Sequence, residues 1–447
     1  MSMTIHKILI ANRGEIAVRI IRTCKAMNIQ TVQVYSDADA NSLAVQLADE
    51  SVNIGPGPAL QSYFNIEKII SVAKDLGVDA IHPGYGFLSE KAAFVQACEA
   101  AGIVFIGPSA QTMADMGDKA RAKLIAKRAG VPTSPGSDGE IQTSEEAVAL
   151  ADTIGYPVII KASAGGGGRG MKIFHHADDI RKEFDNLTAE AMRSFAKSDL
   201  YIEKYFENIR HIEVQVICDG HEVYVLGARD CTIQRKNQKL IEESPANLLS
   251  RELLERISES SVQICKASNY LNIGTIEYIY DLNVHEYYFL EMNTRIQVEH
   301  PVTEMCFNMD LVEVQIKIAR NEHLNWNQSA LVSDGHAIEC RINAENPDKK
   351  FMPSPGTITT LKWPTMDGVR IDSHIFEGYS IPIFYDSLIA KIICHAKTRE
   401  DAVELMKSAL CQLHIEGIKT TISFHASIMS DLRFKNNIYN TQFLNIT

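Results

Sequence analysis

The densest chemistry in the chain lies between Tyr287 and Pro301, which reads Tyr-Tyr-Phe-Leu-Glu-Met-Asn-Thr-Arg-Ile-Gln-Val-Glu-His-Pro. Its first half has the aromatic and aliphatic content of a strand. Two-residue alternation puts Phe289, Glu291 and Asn293 on one face and Tyr288, Leu290 and Met292 on the other. Upstream, Gly274 to Tyr280 reads as a partner strand, with Asp281 to Glu286 as the hairpin turn. A turn centred on Val284 sets Glu277 opposite Glu291. Facing carboxylates repel. A hard cation between them removes the conflict, and Asn293 can add a third oxygen to an octahedral Mg²⁺. Arg295, Gln297 and Glu299 follow at two-residue spacing, a set suited to binding an anion and handling a proton. A charged edge strand is the plain alternative for the Glu-x-Asn alone.

Other stretches suit a phosphorylated substrate. Tyr156 to Lys161 reads as a strand, followed by Ala162-Ser163-Ala164, the glycines Gly165, Gly166, Gly167 and Gly168, then Arg169, Gly170 and a second strand from Met171. Backbone N–H groups in such a run can approach phosphate oxygens closely. No Gly-Lys-Ser/Thr follows and the next element is a strand, so this is not a Walker loop. Between two apolar strands, with Lys161 ending the first, it reads as a flap that closes over a nucleotide. Leu200 to Phe206 is a strand running into a turn; its backbone could bond an adenine edge while Phe206 packs on the ring. His211 to Val216 alternates as a strand, as does Tyr224 to Ala228. Arg229 to Lys239 is a cationic run in an acidic protein, placed to touch phosphate or carbonate.

The elements that must position these groups fall into three units. Lys7 to Ala11, Glu15 to Met27 and Thr31 to Tyr35 read as strand, helix and strand, and the alternation continues through Ile66–Leu76, Ala80–His82, Phe94–Ala101 and Val104–Ile106. This is a doubly wound parallel α/β domain ending near Gly117. The turn Ala11 to Ile16 has one glycine and lacks the Gly-x-Gly-x-x-Gly dinucleotide fingerprint. Ligands in such sheets sit beyond the carboxyl ends of strands, where His82 to Phe87 falls. A helix at Asp118 to Arg128 opens the second unit. A Pro/Gly/Ser-rich stretch at Pro132 to Gly139 reads as a hinge, and Thr143-Ser144-Glu145-Glu146 as a capping box. An amphipathic helix is expected at Arg251–Ser268 and a core helix at Asp310–Ala319. Beyond residue 330 lies a β-rich segment with strands at His336–Asn343, Val369–His374 and Ser387–Cys394 and a helix at Arg399–Leu413; Arg341 shares a face with Glu339 and Asn343. The fold class is α/β (α+β overall), with domains at 1–117, 118–330 (lid about 132–204) and 331–447.

Composition narrows the function. The chain has 447 residues, 45% hydrophobic and 22% charged, as ordinary globular proteins do. A net charge of −12 argues against nucleic acid as a partner. Nine cysteines, none in a Cys-x-x-Cys pair, read as buried thiols in a reducing compartment. With no signal-peptide core and no membrane-length apolar run, the expected location is cytoplasmic, with no membrane partner.

With the tetraglycine flap, the Glu/Glu/Asn hairpin and the Asn-Thr-Arg-Ile-Gln-Val-Glu-His-Pro run in hand, the chain resembles the biotin carboxylases, ATP-grasp enzymes that serve biotin-dependent carboxylases such as acetyl-CoA carboxylase of fatty acid biosynthesis. The resemblance extends from Ala11–Ile16 through His82–Glu90 and Met116–Lys119 to Tyr385–Ser387. It implies that Lys119, Lys161 and Gly165–Gly168 hold ATP phosphates. Glu203, Lys204, Tyr205 and Phe206 would form the adenine hinge, with His211, Gln234 and Asn237 near the nucleotide. Glu277, Glu291 and Asn293 would ligate Mg²⁺ (or Mn²⁺). Lys239, Arg295, Gln297 and Val298 would fix bicarbonate, Glu299 would be its base, and Arg341 would face the biotin ureido oxygen. Asn237 departs from the family's usual His in Gln-Arg-x-His-Gln-Lys and cannot become cationic.

The implied reaction is carboxylation of biotin through carboxyphosphate. As a free Glu titrates near 4.3, Glu299 must act in step with bond formation or be raised by burial. No Met-Lys-Met biotin-attachment sequence occurs, so the expected partners are a separate biotin carboxyl carrier protein and carboxyltransferase subunits. A homodimer is also implied, with Arg19 in the region such dimers use. Another ATP-grasp carboxylate–amine ligase, or a subunit that binds ATP without turnover, would share the lid and the acid pair. The ligase would ignore bicarbonate and biotin, and the binder would not need Glu299.

Overall fold

Five short strands open the chain: β1 (Lys7–Ile10), β2 (Gln30–Ser36), β3 (Glu50–Gly55), β4 (Ala80–His82) and β5 (Val104–Phe105). In the computed structural model, which describes residues 4–137, 139–162, 170–195 and 199–445, all five pair in parallel in the order β3-β2-β1-β4-β5. Helices α1 (Gly14–Ala26), α2 (Leu43–Leu47), α3 (Ile66–Asp75), α4 (Ala92–Ala100) and α5 (Ala110–Gly117) supply the crossovers. Ile8 and Ile10 pack in one core with Ile16 and Ile20, and Leu9 in another with Val34, Ile69 and Phe94. Apolar residues on both faces are the mark of a covered parallel sheet. At its carboxyl edge, Asn12 Nδ2 donates to the carbonyls of Pro83 and Tyr85, each at 2.7 Å. Gly84 makes this contact possible: its φ is +61°, and a Cβ there would lie 2.9 Å from Asn12 Nδ2.

The helix α6 (Lys119–Arg128) begins on Asp118, whose side chain accepts from Arg121 N. Then come α7 (Ser144–Ile154) and a three-stranded antiparallel sheet of β7 (Met171–Phe174), β6 (Val158–Ala162) and β8 (Leu200–Lys204), closed by α8 (Ala177–Phe195). Ile141, Val148, Ile160, Phe184 and Ile202 give this unit its own core. Thr143 caps α7 as expected, accepting from Glu146 N at 3.1 Å, while Glu146 Oε2 accepts from Gln142 N at 2.9 Å. The stretch from Pro132 to Ser137 is a strap: Pro132 O accepts from Phe289 N at 2.8 Å, Pro135 O from Lys204 N at 2.7 Å, and Ser137 N donates to Ile202 O at 2.9 Å. Gly165, Gly166, Gly167 and Gly168 lie outside the described residues.

The site hangs on an eight-stranded antiparallel sheet. Its strands are β9 (Ile209–Cys218), β10 (Val223–Arg235), β11 (Gln238–Ser244), β12 (Asn272–Asp281), β13 (Glu286–Asn293) and β14 (His336–Asn343). After the ribbon strands β15 (Glu345–Asn346), β16 (Met352–Pro353) and β17 (Thr360–Lys362) come β18 (Val369–Ser373) and β19 (Leu388–Ala396), with β20 (His414–Glu416) pairing back to β17. The order is β13-β12-β9-β10-β11-β14-β19-β18, so the sheet runs unbroken across residues 330/331 through the β11–β14 pairing. One face is apolar. Ile212, Val214, Ile276 and Tyr278 pack on α6 and on α9 (Arg251–Ala267), and Ile338, Ile392 and Cys394 pack on α12 (Arg399–Gln412). The other face carries the charged residues and is roofed by α10 (His300–Phe307) and α11 (Leu311–Ala319) with the first domain.

The hairpin alternation differs from the simple expectation. Phe289 packs in the apolar core with Tyr287 and Met292, while Tyr288 lies on the other side against Phe206. The cause is a β-bulge: Glu277 pairs with Glu291 but Tyr278 pairs with Phe289, which leaves Leu290 as an extra residue. A bulge resets the alternation beyond it. The expected Glu277–Glu291 pairing holds because of it. Arg19 is buried and bonds Glu304 at 2.7 Å and Asp310 at 2.8 Å within its own chain.

Candidate active site

On the polar face, strand pairing brings together side chains far apart in sequence. Glu213 on β9 lies between Glu277 on β12 and Arg229 on β10, each its direct cross-strand partner. Lys239 at the start of β11 reaches into this group and binds three carboxylates: Glu213 Oε2 at 2.6 Å, Glu277 Oε1 at 2.8 Å and Glu299 Oε1 at 2.7 Å. Burial alone would lower the Lys239 ammonium, but Glu213, Glu277 and Glu299 outweigh it and hold it well above the usual lysine range. Arg229 bonds Glu213 and also donates to Gln215, Thr303, Thr275 and Gln297. Every arm of this buried guanidinium is used, the condition under which such a charge is tolerated.

Glu277 accepts from Asn293 Nδ2 and Gln297 Nε2, both at 2.8 Å, and its Oε2 lies 2.7 Å from His211 Nε2. Burial would push its carboxyl up; Lys239 and His211 win and hold it well below the ordinary value. His211 is raised in turn, burial opposing and Glu277 prevailing. Its Nδ1 sits 2.8 Å from Gln234 Nε2, so the two expected nucleotide-side residues meet. Of the expected metal ligands, Glu277 falls in a compact donor cluster with His211 and Glu213. Glu291 is its strand partner and lies 3.3 Å from Lys119 Nζ, while Asn293 Oδ1 accepts from Arg295 Nη2 at 2.9 Å.

Arg295 also meets Glu90 at 3.0 Å, which ties the site to the first domain. The Val298 carbonyl accepts from Lys391 Nζ at 2.7 Å. Glu299 is held from two sides, by Lys239 and by Arg341 Nη2 at 2.9 Å. Burial would raise its carboxyl; Lys239, Arg341 and Arg229 together pull it well below the usual range. Of the two options for Glu299, a carboxyl raised by burial is disfavoured, because its three cations outweigh burial and favour the ionised carboxylate; a base acting in step with bond formation is left. Arg341 spans from Glu299 to Glu242, whose Oε1 accepts from its Nε at 2.7 Å.

Towards the three-stranded sheet, Glu203 accepts from Lys161 at 2.6 Å and Lys123 at 2.7 Å. Burial opposes these lysines, and their sum brings Glu203 down to about 2. Phe206 stacks on Tyr288 with centroids 4.8 Å apart. The backbone N–H groups of Lys204 and Tyr205, expected at an adenine hinge, are bonded to the carbonyls of Pro135 and Pro157, and Lys204 Nζ to those of Gly155 and Tyr156. Asn237 is exposed at the β10–β11 turn with φ +62°, next to Lys236 at +50°. Two consecutive left-handed residues make the turn favoured in hairpins, and Asn suits it. Glu213, Glu242, Lys391 and Lys123 were not singled out from sequence, and Arg229 only as the start of a cationic run. The inward-facing series His211, Glu213, Gln215 on a strand flanked by two others was the available signal.

Residues 4–113 match the family model for the biotin carboxylase N-terminal domain, 118–327 that for the carbamoyl-phosphate synthase L chain ATP-binding domain, and 339–446 that for the biotin carboxylase C-terminal domain. Biotin carboxylase 1 of Bacillus subtilis is 52% identical over 442 residues, covering 98% of each chain. The chloroplastic biotin carboxylase of Arabidopsis thaliana is 49% identical, covering 98% of this chain and 82% of its own. A Campylobacter jejuni biotin carboxylase complex with β-γ-ATP superposes with a TM-score of 0.94 at 48% identity, over 100% of this chain and 99% of that one. The biotin carboxylase domain dimer of Hydrogenobacter thermophilus 2-oxoglutarate carboxylase, solved with MgADP, ADP and bicarbonate, gives 0.92 at 47%, over 99% and 98%. An ATP-grasp face built on Glu277, Lys239, Glu299 and Arg341, in a chain related over nearly its whole length to these enzymes, places it in one family: the chain belongs to the biotin carboxylases.

Proposed function

We propose that this chain uses ATP to carboxylate biotin with bicarbonate, and that Glu299, Lys239 and Arg341 form the centre of the reaction. The observation that carries the assignment of roles is the double tether on Glu299, one oxygen on Lys239 and the other on Arg341. A carboxylate held ionised beside two cations can accept a proton from bicarbonate, which those cations also attract. Arg295 adds a planar fork for the anion, and Gln297 and the Val298 backbone complete the cradle. Lys119 and Lys161, partnered by Glu291 and Glu203, are placed to exchange those carboxylates for phosphate oxygens. Phe206 and Tyr288 form an aromatic platform for the base, and Asn237 a turn beside the nucleotide.

Glu277, Glu291 and Asn293 are hard oxygen donors, with the two acids opposite one another in the register, which fits Mg²⁺. The ion would neutralise charge on the transferred phosphoryl group. Attack of ionised bicarbonate oxygen on the γ-phosphorus, with ADP leaving, gives carboxyphosphate. Its collapse releases CO₂ and phosphate. The phosphate takes the ureido N–H proton of biotin, and Arg341 stabilises the negative ureido oxygen while its nitrogen attacks CO₂.

The biotin would arrive on a separate carrier protein and leave for a carboxyltransferase, and the working unit would be a homodimer in the cytoplasm. Eight buried free thiols support a reducing setting, and no helix among the described residues is long and apolar enough to cross a membrane. Arg341→Ala tests the central assignment. Fixation of radiolabelled bicarbonate onto free biotin should collapse, while bicarbonate-dependent ATP cleavage without biotin persists. Equal loss of both would remove Arg341 from the biotin step.

A further inference from the structure

Beneath Arg341 lies a second pair of acids that the reaction above does not use. Glu242 on β11 and Glu339 on β14 are direct cross-strand partners on the charged face, and both side chains are fully buried. Opposed residues in an antiparallel pair are close enough to interact strongly. Glu242 Oε1 accepts from Arg341, but Glu242 Oε2 and both oxygens of Glu339 have no hydrogen-bond partner. Three orphaned acceptors on two facing, fully buried carboxyls are not compatible with both groups being ionised. One proton resolves the conflict: an O–H on Glu339 donating to Glu242 Oε2.

The surroundings decide which acid carries it. Lys239 on β11 is committed to Glu213, Glu277 and Glu299. Lys391 on β19, the strand partner of Arg341, is committed to the Val298 carbonyl and, at 3.1 Å, to Glu15 from α1, with Asp372 on β18 3.9 Å away. Arg341 divides itself between Glu242 and Glu299. Glu339 thus has no cation of its own. Burial and the nearby Glu242 and Glu299 charges push its carboxyl well above the usual range despite Lys391 and Arg341. Burial lifts Glu242 to about 7, with Arg341 opposing.

We propose that Glu339 is the protonated member of a carboxyl–carboxylate pair with Glu242, and that this pair positions Arg341 for the carboxylation of biotin. With Glu339 neutral, Arg341 is held between two single charges, Glu242 below and Glu299 beside it. Ionised Glu339 would double the charge below and draw the guanidinium away from Glu299. Both acids are positioning residues, acting through Arg341.

Infrared difference spectra of the full-length enzyme, wild type against Glu339→Gln at neutral pH, test the proton directly. The wild type should show a carboxylic-acid C=O band that shifts on deuterium exchange and is missing from the variant. Kinetically, Glu339→Gln still donates to Glu242 and should carboxylate biotin within a few-fold of wild type. Glu339→Ala should lower kcat for biotin on the order of a hundred-fold through a misplaced Arg341, and bicarbonate-dependent ATP cleavage far less. Absence of the band, or a folded Glu339→Gln as impaired as Glu339→Ala, overturns the proposal; should Glu339→Ala not fold, the band and the Gln variant decide. The positioning role rests on Arg341 facing biotin. Failure of that reading is recognised separately, by Arg341→Ala losing both activities together, whereas the band reports the proton alone.

Discussion

Lys239→Met isolates the balance of charge on which the site depends. The side chain keeps its length but loses the ammonium that three buried carboxylates share at 2.6–2.8 Å. Removing one member of a buried ion pair costs roughly 3–5 kcal/mol, because the other is left uncompensated. The loss here should stay within that range despite three partners. Glu213 keeps Arg229, Glu277 keeps His211, and Glu299 keeps Arg341. The sign of the pH dependence is the sharper test. In the wild type Glu299 is depressed, so its stabilisation is present above the ordinary carboxylate range and fades only as pH falls through the depressed value. Without the ammonium, burial should outweigh the remaining partners of Glu277 and Glu299 and carry these two carboxyls above their unfolded values. Their contribution is then most favourable in mild acid and is lost as pH rises. The deficit of Lys239→Met against wild type should therefore be larger at about pH 7.5 than at about pH 5.5, measured by urea unfolding at both. Bicarbonate-dependent ATP cleavage should disappear at either. A deficit unchanged between the two pH values, or one below about 1 kcal/mol, would mean that the three acids do not depend on Lys239.

Two more outcomes follow from the same contacts. Glu299→Gln keeps the shape of the site but removes the proposed base; bicarbonate-dependent ATP cleavage should fall by roughly a hundred-fold or more, with nucleotide binding by calorimetry unchanged. Glu243, on the opposite face of β11, is bonded by His336, Arg399 and Tyr439; burial would raise it, yet His336 and Arg399 bring it down to about 2. Glu243→Gln should cost roughly 3–5 kcal/mol at neutral pH. That gap should close as pH falls from the unfolded carboxyl value towards about 2, because the wild type loses this stabilisation over that window.

Much of the scaffold was legible from alternation alone. The two hairpin strands, the parallel first domain and the capped α7 all follow from local pattern. What was not legible has specific causes. The edge strand β3 has three exposed residues of six and only Val52 and Ile54 as an apolar alternation, too short a stripe to read. Strand β11 was hidden in a run of charges, Arg235 to Lys239, whose meaning changes once Lys236 and Asn237 turn the chain back. The bulge at Leu290 leaves no mark in residue types, yet it decides that Tyr288, not Phe289, meets Phe206. The charge state of Glu299 was out of reach for a different reason. It is set by Lys239, Arg341 and Arg229, and only sheet pairing makes them neighbours.

The hidden partners share one physical logic. A central strand that alternates apolar and polar residues, as β9 does, points its polar series at another protein layer and not at water. His211, Glu213 and Gln215 must then find partners on adjacent strands, and the register supplies Glu277 and Arg229. Burying so many charges adds little net stability, since desolvation cancels most of the attraction. Its use lies in order: Lys239 is pinned by three acids and Arg341 by two before any substrate arrives, so little reorganisation remains when an anion is bound. The acids in turn need those cations, and where the supply runs out, at Glu339, a proton has to serve instead. A site that must attract bicarbonate and ATP, both anionic, cannot carry an uncompensated carboxylate beneath its arginine; a neutral Glu339 is what reconciles a sheet rich in glutamate with substrates of the same sign.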